Sequence, residues 1–189
     1  FHHDDFGNDF LIQRAVRAIN KESVDLVILT GDYISDRVEA LEPLSESLAD
    51  LRPRLGSFGV LGNHARWHYD EAIPRLLEQG GIRLLVNEST DFPEFAVAGI
   101  DSYWGGQPDL KKALEPIDPN KPVILGLHEP DTFDYYEEPR VALQLSGHTH
   151  GGQICAPLHG PILLPRYGKN YPFGHYRKHN RSLYVTRGI

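Results

Sequence analysis

Four times along this chain a short apolar run ends on an aspartate, asparagine or histidine next to a glycine or small turn. The runs are VDLVILTGD, reaching Asp32; SFGVLGNH, reaching Asn63 and His64; KPVILGLHEPD, reaching His128; and ALQLSGHTH, reaching His148 and His150. Apolar residues at consecutive positions need cover on both sides, so these runs read as strands of sheets packed on both faces. The segments between them supply that cover. DFLIQRAVRAINK at 9–21 reads as an amphipathic helix with Asp9 as its N-cap, and further helices are expected over about 38–51, over 70–79 and at PDLKKAL. IRLLVNE and FAVAGID read as additional strands. The class is therefore α/β, in which strand ends are the places where sites gather. Any one of the four terminal residues has a plain reading as a turn or cap, but all four at strand ends together point to a site.

LSGHTHGGQI, residues 145–154, sharpens that point. Glycines leave packing gaps and imidazoles carry nitrogens that need partners when buried, a poor choice for a core strand. Imidazole, carboxylate and the carbonyl oxygen of an Asn side chain form a mixed N/O ligand set without thiolate, suited to Mn, Fe, Zn or Co. Two ions held by such a set, sharing a carboxylate such as Asp32, activate water and clamp the oxygens of a phosphoryl group.

Bulk properties exclude other classes. At 189 residues the chain supports one substantial core, so a single domain spanning 1–189 is expected. A formal charge of -7 argues against nucleic-acid binding driven by phosphate neutralisation. From His159 to Ile189, however, there are six basic residues and no acidic one, leaving 13 basic against 26 acidic residues elsewhere. That tail reads either as a solvated basic surface or as a rim that receives an anion. Cys155 is the only cysteine and reads as a buried structural thiol, with no intrachain disulfide available. No stretch approaches the ~18 consecutive apolar residues of a membrane span. Opening without a methionine and stopping at YVTRGI, the chain reads as cut at both ends, so that a signal or anchor upstream of Phe1 is compatible with the expected place in the cytoplasm or at the periphery of the cytoplasmic membrane.

GDYISD at 31–36, GNHA at 62–65, GLHEP at 126–130 and GHTHGGQ at 147–153 together resemble the motifs of the calcineurin-like metallophosphoesterases. The HTHGGQI segment, a later YG…Y…G stretch and LYVTRGI resemble the bacterial branch that holds YkuE and UDP-2,3-diacylglucosamine pyrophosphohydrolases of the LpxG type. The resemblance covers nearly the whole chain and implies a four-layer sandwich of two packed sheets flanked by helices. It also implies two divalent ions, Mn first, with Asp32 bridging them, Asn63, His128 and His148 on the second and His150 on the first. His64 would face the substrate, protonating the leaving oxygen or stabilising charge.

Three departures qualify the resemblance. The family's first Asp-x-His motif lies on the first strand, and here His2 would complete it only with an aspartate before Phe1; His3, Asp4 and Asp5 read as loop residues. Ala65 stands where an acidic residue usually supports the histidine, and Asp36 falls one place late and reads as a turn or cap. Outside the motifs, Arg166, Tyr167 and His175 are the candidate substrate contacts. Tyr171 and Tyr176 share with Tyr167 two readings, packing at the sandwich edge or flanking the cleft, whereas His68, His159 and His179 read as surface residues. Trp67 and Trp104 are candidates for a lipid-facing rim. The expected activity is hydrolysis of a phosphodiester or pyrophosphate in a phosphorylated small molecule or nucleotide-lipid such as a UDP-diacylglucosamine precursor. The alternatives are a non-catalytic scaffold, a single-metal phosphoesterase, and a phosphomonoesterase or cyclic-nucleotide phosphodiesterase.

Overall fold

Helix α1 (Asp9–Lys21) begins at Asp9, so this carboxylate lies in the first turn and complements the helix dipole there. Its apolar stripe buries Ile12 and Val16, one turn apart. The computed structural model describes residues 9–34, 40–67, 72–152, 154–156 and 160–189. After α1 come β1 (Val27–Leu29), α2 (Leu41–Leu48), β2 (Ser57–Gly59), the short α3 (Asn63–Trp67), α4 (Ala72–Gln79) and β3 (Ile82–Leu84). The three strands form a parallel sheet in the order β1-β2-β3, each joined to the next through helix as parallel pairing requires.

The rest of the chain forms β4 (Glu88–Asp91), β5 (Ala96–Gly99), α5 (Leu110–Leu114), β6 (Val123–Gly126), β7 (Val141–Ser146), β8 (Ile154–Ala156), β9 (Gly160–Leu163), β10 (Gly174–Lys178) and β11 (Arg181–Val185). Six of these strands make a mixed sheet in the order β10-β11-β7-β6-β5-β4, and β8 pairs with β9 in a hairpin.

Strand periodicity builds the layers. In β5, Ala96 and Ala98 turn to one face and pack with Ala113 and Leu114 of α5. Val97 turns to the other and joins Phe58 and Leu85 from the first sheet. The first sheet is covered on its other side by α1, α2 and α4, through a core that includes Ile12, Leu29, Leu44, Ile73 and Leu77. The order is helix, sheet, sheet, helix, the four-layer α/β sandwich expected from the sequence. The two sheets approach closely because Gly99 and Gly126 leave room for Val60. A Cβ on Gly99 would stand 2.5 Å from Leu85 Cβ and 2.8 Å from Val60 Cγ1. Gly99→Ala is therefore expected to force the sheets apart and cost ~1–3 kcal/mol, read as a lower urea midpoint at unchanged slope; an unchanged midpoint would contradict the tight sheet contact.

Some elements differ from the sequence reading. The helix expected over about 38–51 spans Leu41–Leu48, and Asn63 and His64, at the end of the run read as a strand, open a short helix. The polar ESTD segment forms edge strand β4, recruited by pairing with β5 and not by any apolar pattern of its own. The stretch after GHTH, in which no strand is read from the sequence, contains strands: β11 buries Leu183 and Val185 and runs parallel beside β7, and β10 is held by its pairing with β11. Among the described residues no helix is long and apolar enough to cross a membrane.

Candidate metal centre

The ends of β1, β2, β6 and β7 deliver the motif residues to one place. Gly147 N–H donates to the His128 carbonyl (3.0 Å) and Thr186 N–H to the Ser146 carbonyl (2.9 Å), tying the ends of β6, β7 and β11 together. From the other sheet, Asp32 follows β1 and is buried. Its Oδ1 accepts the backbone N–H of His64 (3.2 Å), and its Oδ2 lies 3.0 Å from His128 Nε2. His128 Nε2 in turn lies 3.1 Å from His148 Nδ1. Ligand atoms of Asp32, His128 and His148 all fall within 4.8 Å of one another, and all three residues are buried.

Backbone carbonyls fix how the two imidazoles face. His128 Nδ1 meets the Thr30 carbonyl at 2.5 Å and His148 Nε2 meets the Arg166 carbonyl at 2.7 Å. A carbonyl only accepts, so each of those nitrogens carries a hydrogen, and the opposite nitrogen of each ring points into the cluster. This is the arrangement of metal-binding histidines, whose outward N–H is held by a second partner.

Two further observations fit a cation. Asn63 Oδ1 is buried without a hydrogen-bond partner, an acceptor that would be costly to leave unsatisfied and that a metal ion would satisfy. Glycines also let the backbone close around Asp32: a Cβ on Gly62 would stand 2.6 Å from Asp32 N, and one on Gly31 2.8 Å from His128 Nδ1. Of the seven non-glycine residues with positive φ among the described residues, Asp32 (48°), His148 (72°) and His150 (55°) lie in these motifs and Tyr167 (67°) lies beside them. Such conformations cost of order 1–3 kcal/mol each and persist where the surroundings enforce them.

The charges are balanced accordingly. Burial alone would lower the pKa of His128, but the charge and hydrogen bond of Asp32 overcome it and raise the value to about 9. Burial, then the charge of His128, pushes His148 down to about 3. The cluster therefore holds one proton between Asp32 and His128 where a divalent ion would bind.

His150 lines the same pocket as Asp32, His128 and His148, with Arg187 on its rim. His64 is half-buried, and Ala65 behind it is packed into the core of the first sheet rather than facing the pocket. Arg166 lies against His148 through its backbone carbonyl, which holds Nε2, and its guanidinium sits 4.7 Å above the Tyr167 ring. His175 is exposed on β10 opposite Tyr184 and does not line this pocket. Tyr171 and Tyr176 pack with Phe133, as the edge-packing reading has it, and Tyr171 donates to Asp134. Part of the basic tail serves the same region, with Lys178 3.1 Å from Asp134 and Arg181 over the Phe133 ring. Trp104 is half-buried and edge-on to His148 at 5.9 Å, a place beside the cluster instead of a lone lipid-facing aromatic. His2, His3, Asp4, Asp5, Asp36, His68, His159 and the side chains of Trp67 and Cys155 lie outside the described residues. His179 is exposed in the β10–β11 turn.

Glu129 and Asp131, which follow His128 in HEPD, are not among the residues the sequence motifs single out. Both are buried. Their signal was available: two acidic residues directly after a fully apolar strand need donors from somewhere.

A helix-covered double sheet with a buried His/Asp cluster at its strand ends defines a metal-binding class of α/β protein. A family model described as calcineurin-like phosphoesterase matches residues 2–152, and the chain belongs to that family. It is 33% identical over 186 residues to the uncharacterized metallophosphoesterase YkuE of Bacillus subtilis, covering 94% of this chain and 65% of that protein. It is 31% identical over 187 residues to the phosphodiesterase YaeI of Escherichia coli, covering 95% of this chain and 68% of that one. Against the solved NAD nucleotidase NadN of Haemophilus influenzae it superposes with a TM-score of 0.57 at 15% identity, over 96% of this chain and 44% of the other, a likeness of fold. The chain spans 65% of the first of these relatives and about half, 48%, of others.

Proposed function

We propose that this protein is a dinuclear metal-dependent phosphoesterase that hydrolyses phosphodiester or pyrophosphate bonds. The observation that carries the reading is the inward convergence of His128, His148 and Asp32, each imidazole held by a carbonyl behind it. Asp32, Asn63, His128 and His148 would hold one ion, with Asp32 shared and His150, together with His2, on the other. Divalent ions there supply Lewis-acid charge to the phosphoryl oxygens and lower the pKa of the attacking water. Water oxygen forms the new bond to phosphorus as the ester P–O bond breaks, and His64 gives a proton to the departing oxygen. The helix that starts at Asn63 and the bond from the His64 backbone N–H to Asp32 tie the His64 backbone to this cluster, which supports that role. Mn is the first candidate ion from the family resemblance; the N/O ligand set admits Fe, Zn and Co as well, and availability selects among them. A UDP-diacylglucosamine-type precursor is the candidate natural substrate from the branch resemblance.

Elemental analysis of the purified protein, paired with hydrolysis of bis-p-nitrophenyl phosphate with and without Mn, tests this. Two ions per chain and Mn-dependent turnover are expected; no bound metal and no turnover would sink the proposal and leave a scaffold. His64→Ala is expected to keep its metal and lose about 10²-fold or more in kcat, with a larger loss on an alkyl leaving group than on p-nitrophenolate, which departs without a proton. Equal losses on both leaving groups would remove His64 from the acid role.

A further inference from the structure

The two buried carboxylates after His128 each hold a different loop. Glu129 Oε1 accepts Ser102 Oγ–H (2.5 Å) and Trp104 N–H (3.0 Å), and Oε2 accepts Tyr103 N–H (2.9 Å). Asp131 Oδ2 accepts Lys169 N–H (2.9 Å), Oδ1 accepts the N–H groups of Asn170 (3.0 Å) and Tyr171 (3.3 Å), and Asp131 N–H donates to the Tyr167 carbonyl (3.0 Å). The bonds come from loops distant in sequence, one between β5 and α5 and one between β9 and β10. Burying a carboxylate is unfavourable unless donors replace its water, and here backbone N–H groups supply most of that replacement.

What the two loops carry meets beside His148, which Trp104 approaches edge-on at 5.9 Å and whose Nε2 meets the Arg166 carbonyl. Tyr103 lies 5.1 Å edge-on from Tyr167 and 5.4 Å from Tyr135. Arg166 covers the Tyr167 ring at 4.7 Å. This wall starts beside His148, whose ring touches the Arg166 carbonyl, and runs outward to Tyr135, which is 52% exposed. Three partly exposed aromatic rings with one guanidinium form a surface of the kind that stacks a flat ring and offers a cation to an anion beside it; of these residues Tyr103 is held by Glu129 and the Tyr167 carbonyl by the Asp131 N–H, while the other bonds hold the loop residues next to them.

We infer that Tyr103, Tyr135, Tyr167 and Arg166 form a subsite for a planar aromatic substituent of the phosphate ester, a nucleobase or an aryl ring, and that Glu129 and Asp131 are its positioning residues. The inference rests on the phosphoesterase reading for the phosphate end of the ligand only. The ring stacks on the tyrosine wall, and Arg166 faces the ester's negative charge.

The test is calorimetric binding to the Mn-loaded protein, with adenosine 5′-monophosphate, phenyl phosphate, ribose 5-phosphate and inorganic phosphate as probes. Wild type is expected to bind adenosine 5′-monophosphate roughly tenfold or more tightly than ribose 5-phosphate, and the phenyl phosphate arm tells a base-sized ring from an aryl-sized one. Tyr135→Ala, at a half-exposed position, and Tyr103→Leu should cut that preference several-fold while metal content stays the same. Glu129→Ala should do likewise, and Glu129→Gln, which keeps one acceptor, should restore part of it. Equal affinity for the two sugar phosphates in wild type would overturn the subsite, as would a preference that survives both tyrosine variants. Binding with the ring preference but without hydrolysis of any ester would leave the subsite standing and overturn the phosphoesterase reading instead.

Discussion

Asp32→Asn is expected to lower metal-dependent phosphodiester turnover by at least about 10³-fold and to reduce bound metal. The substitution keeps the shape, and the amide oxygen still accepts from His64 N–H. The site loses its negative charge, and an amide N–H₂ turns toward His128 Nε2, the nitrogen now 3.0 Å from Asp32 Oδ2. A shared carboxylate holds cations through charge, and the Lewis-acid stabilisation that depends on them is worth several kcal/mol. At ~1.4 kcal/mol per decade of rate, that loss gives the stated factor. Elemental analysis and p-nitrophenolate release on the same preparation decide it. Full metal content with wild-type turnover would show that Asp32 is a structural carboxylate beside the histidines, and the dinuclear proposal would fall with it.

The centre was legible because its residues sit at the ends of the chain's most apolar runs. Asp32, His128 and His148 are delivered by β1, β6 and β7, the first two recognisable from uninterrupted hydrophobicity and the third from an apolar run broken by Gln144. Elements without such a signature were not legible. β4 reads ESTD and exists because β5 offers it an edge, and β10, GHYRK, exists because β11 does. The aromatic wall was half visible: Arg166 and Tyr167 follow from their place after the GHTH turn, whereas Tyr103 and Tyr135 come from other segments and meet Tyr167 only in the folded chain. Nothing in the spacing of Glu129 and Ser102, 27 residues apart, announces that one holds the other.

Metal-free protein, kept in chelator, is expected to be most stable near pH 6.5 and to lose stability on both sides. The folded pKa of His128, about 9, lies above the ordinary histidine value of 6.5. Its contribution is thus fully present below pH 6.5 and disappears as pH rises from 6.5 through 9, where folded protein must release the proton bridging to Asp32. His148 behaves oppositely. Its folded value of about 3 lies below 6.5, so as pH falls through that window the unfolded chain takes up a proton that the folded chain refuses, and stability drops. Each pKa unit corresponds to about 1.4 kcal/mol, so both limbs should be plain in urea midpoints measured from pH 4 to 10. Metal changes one limb predictably. A divalent ion held by His128 Nε2 would take the place of its proton, so saturating Mn should abolish the alkaline decline and release close to one proton per chain at neutral pH. Calorimetry in buffers of different ionisation enthalpy measures that proton. In Asp32→Asn the largest charge that raises His128 is gone, leaving burial against the smaller contributions of the Glu129 charge and the Thr30 carbonyl, so the alkaline limb should shrink even without metal. A limb that persists undiminished in that variant would assign it to some other group and would undo the picture of a proton holding the metal's place.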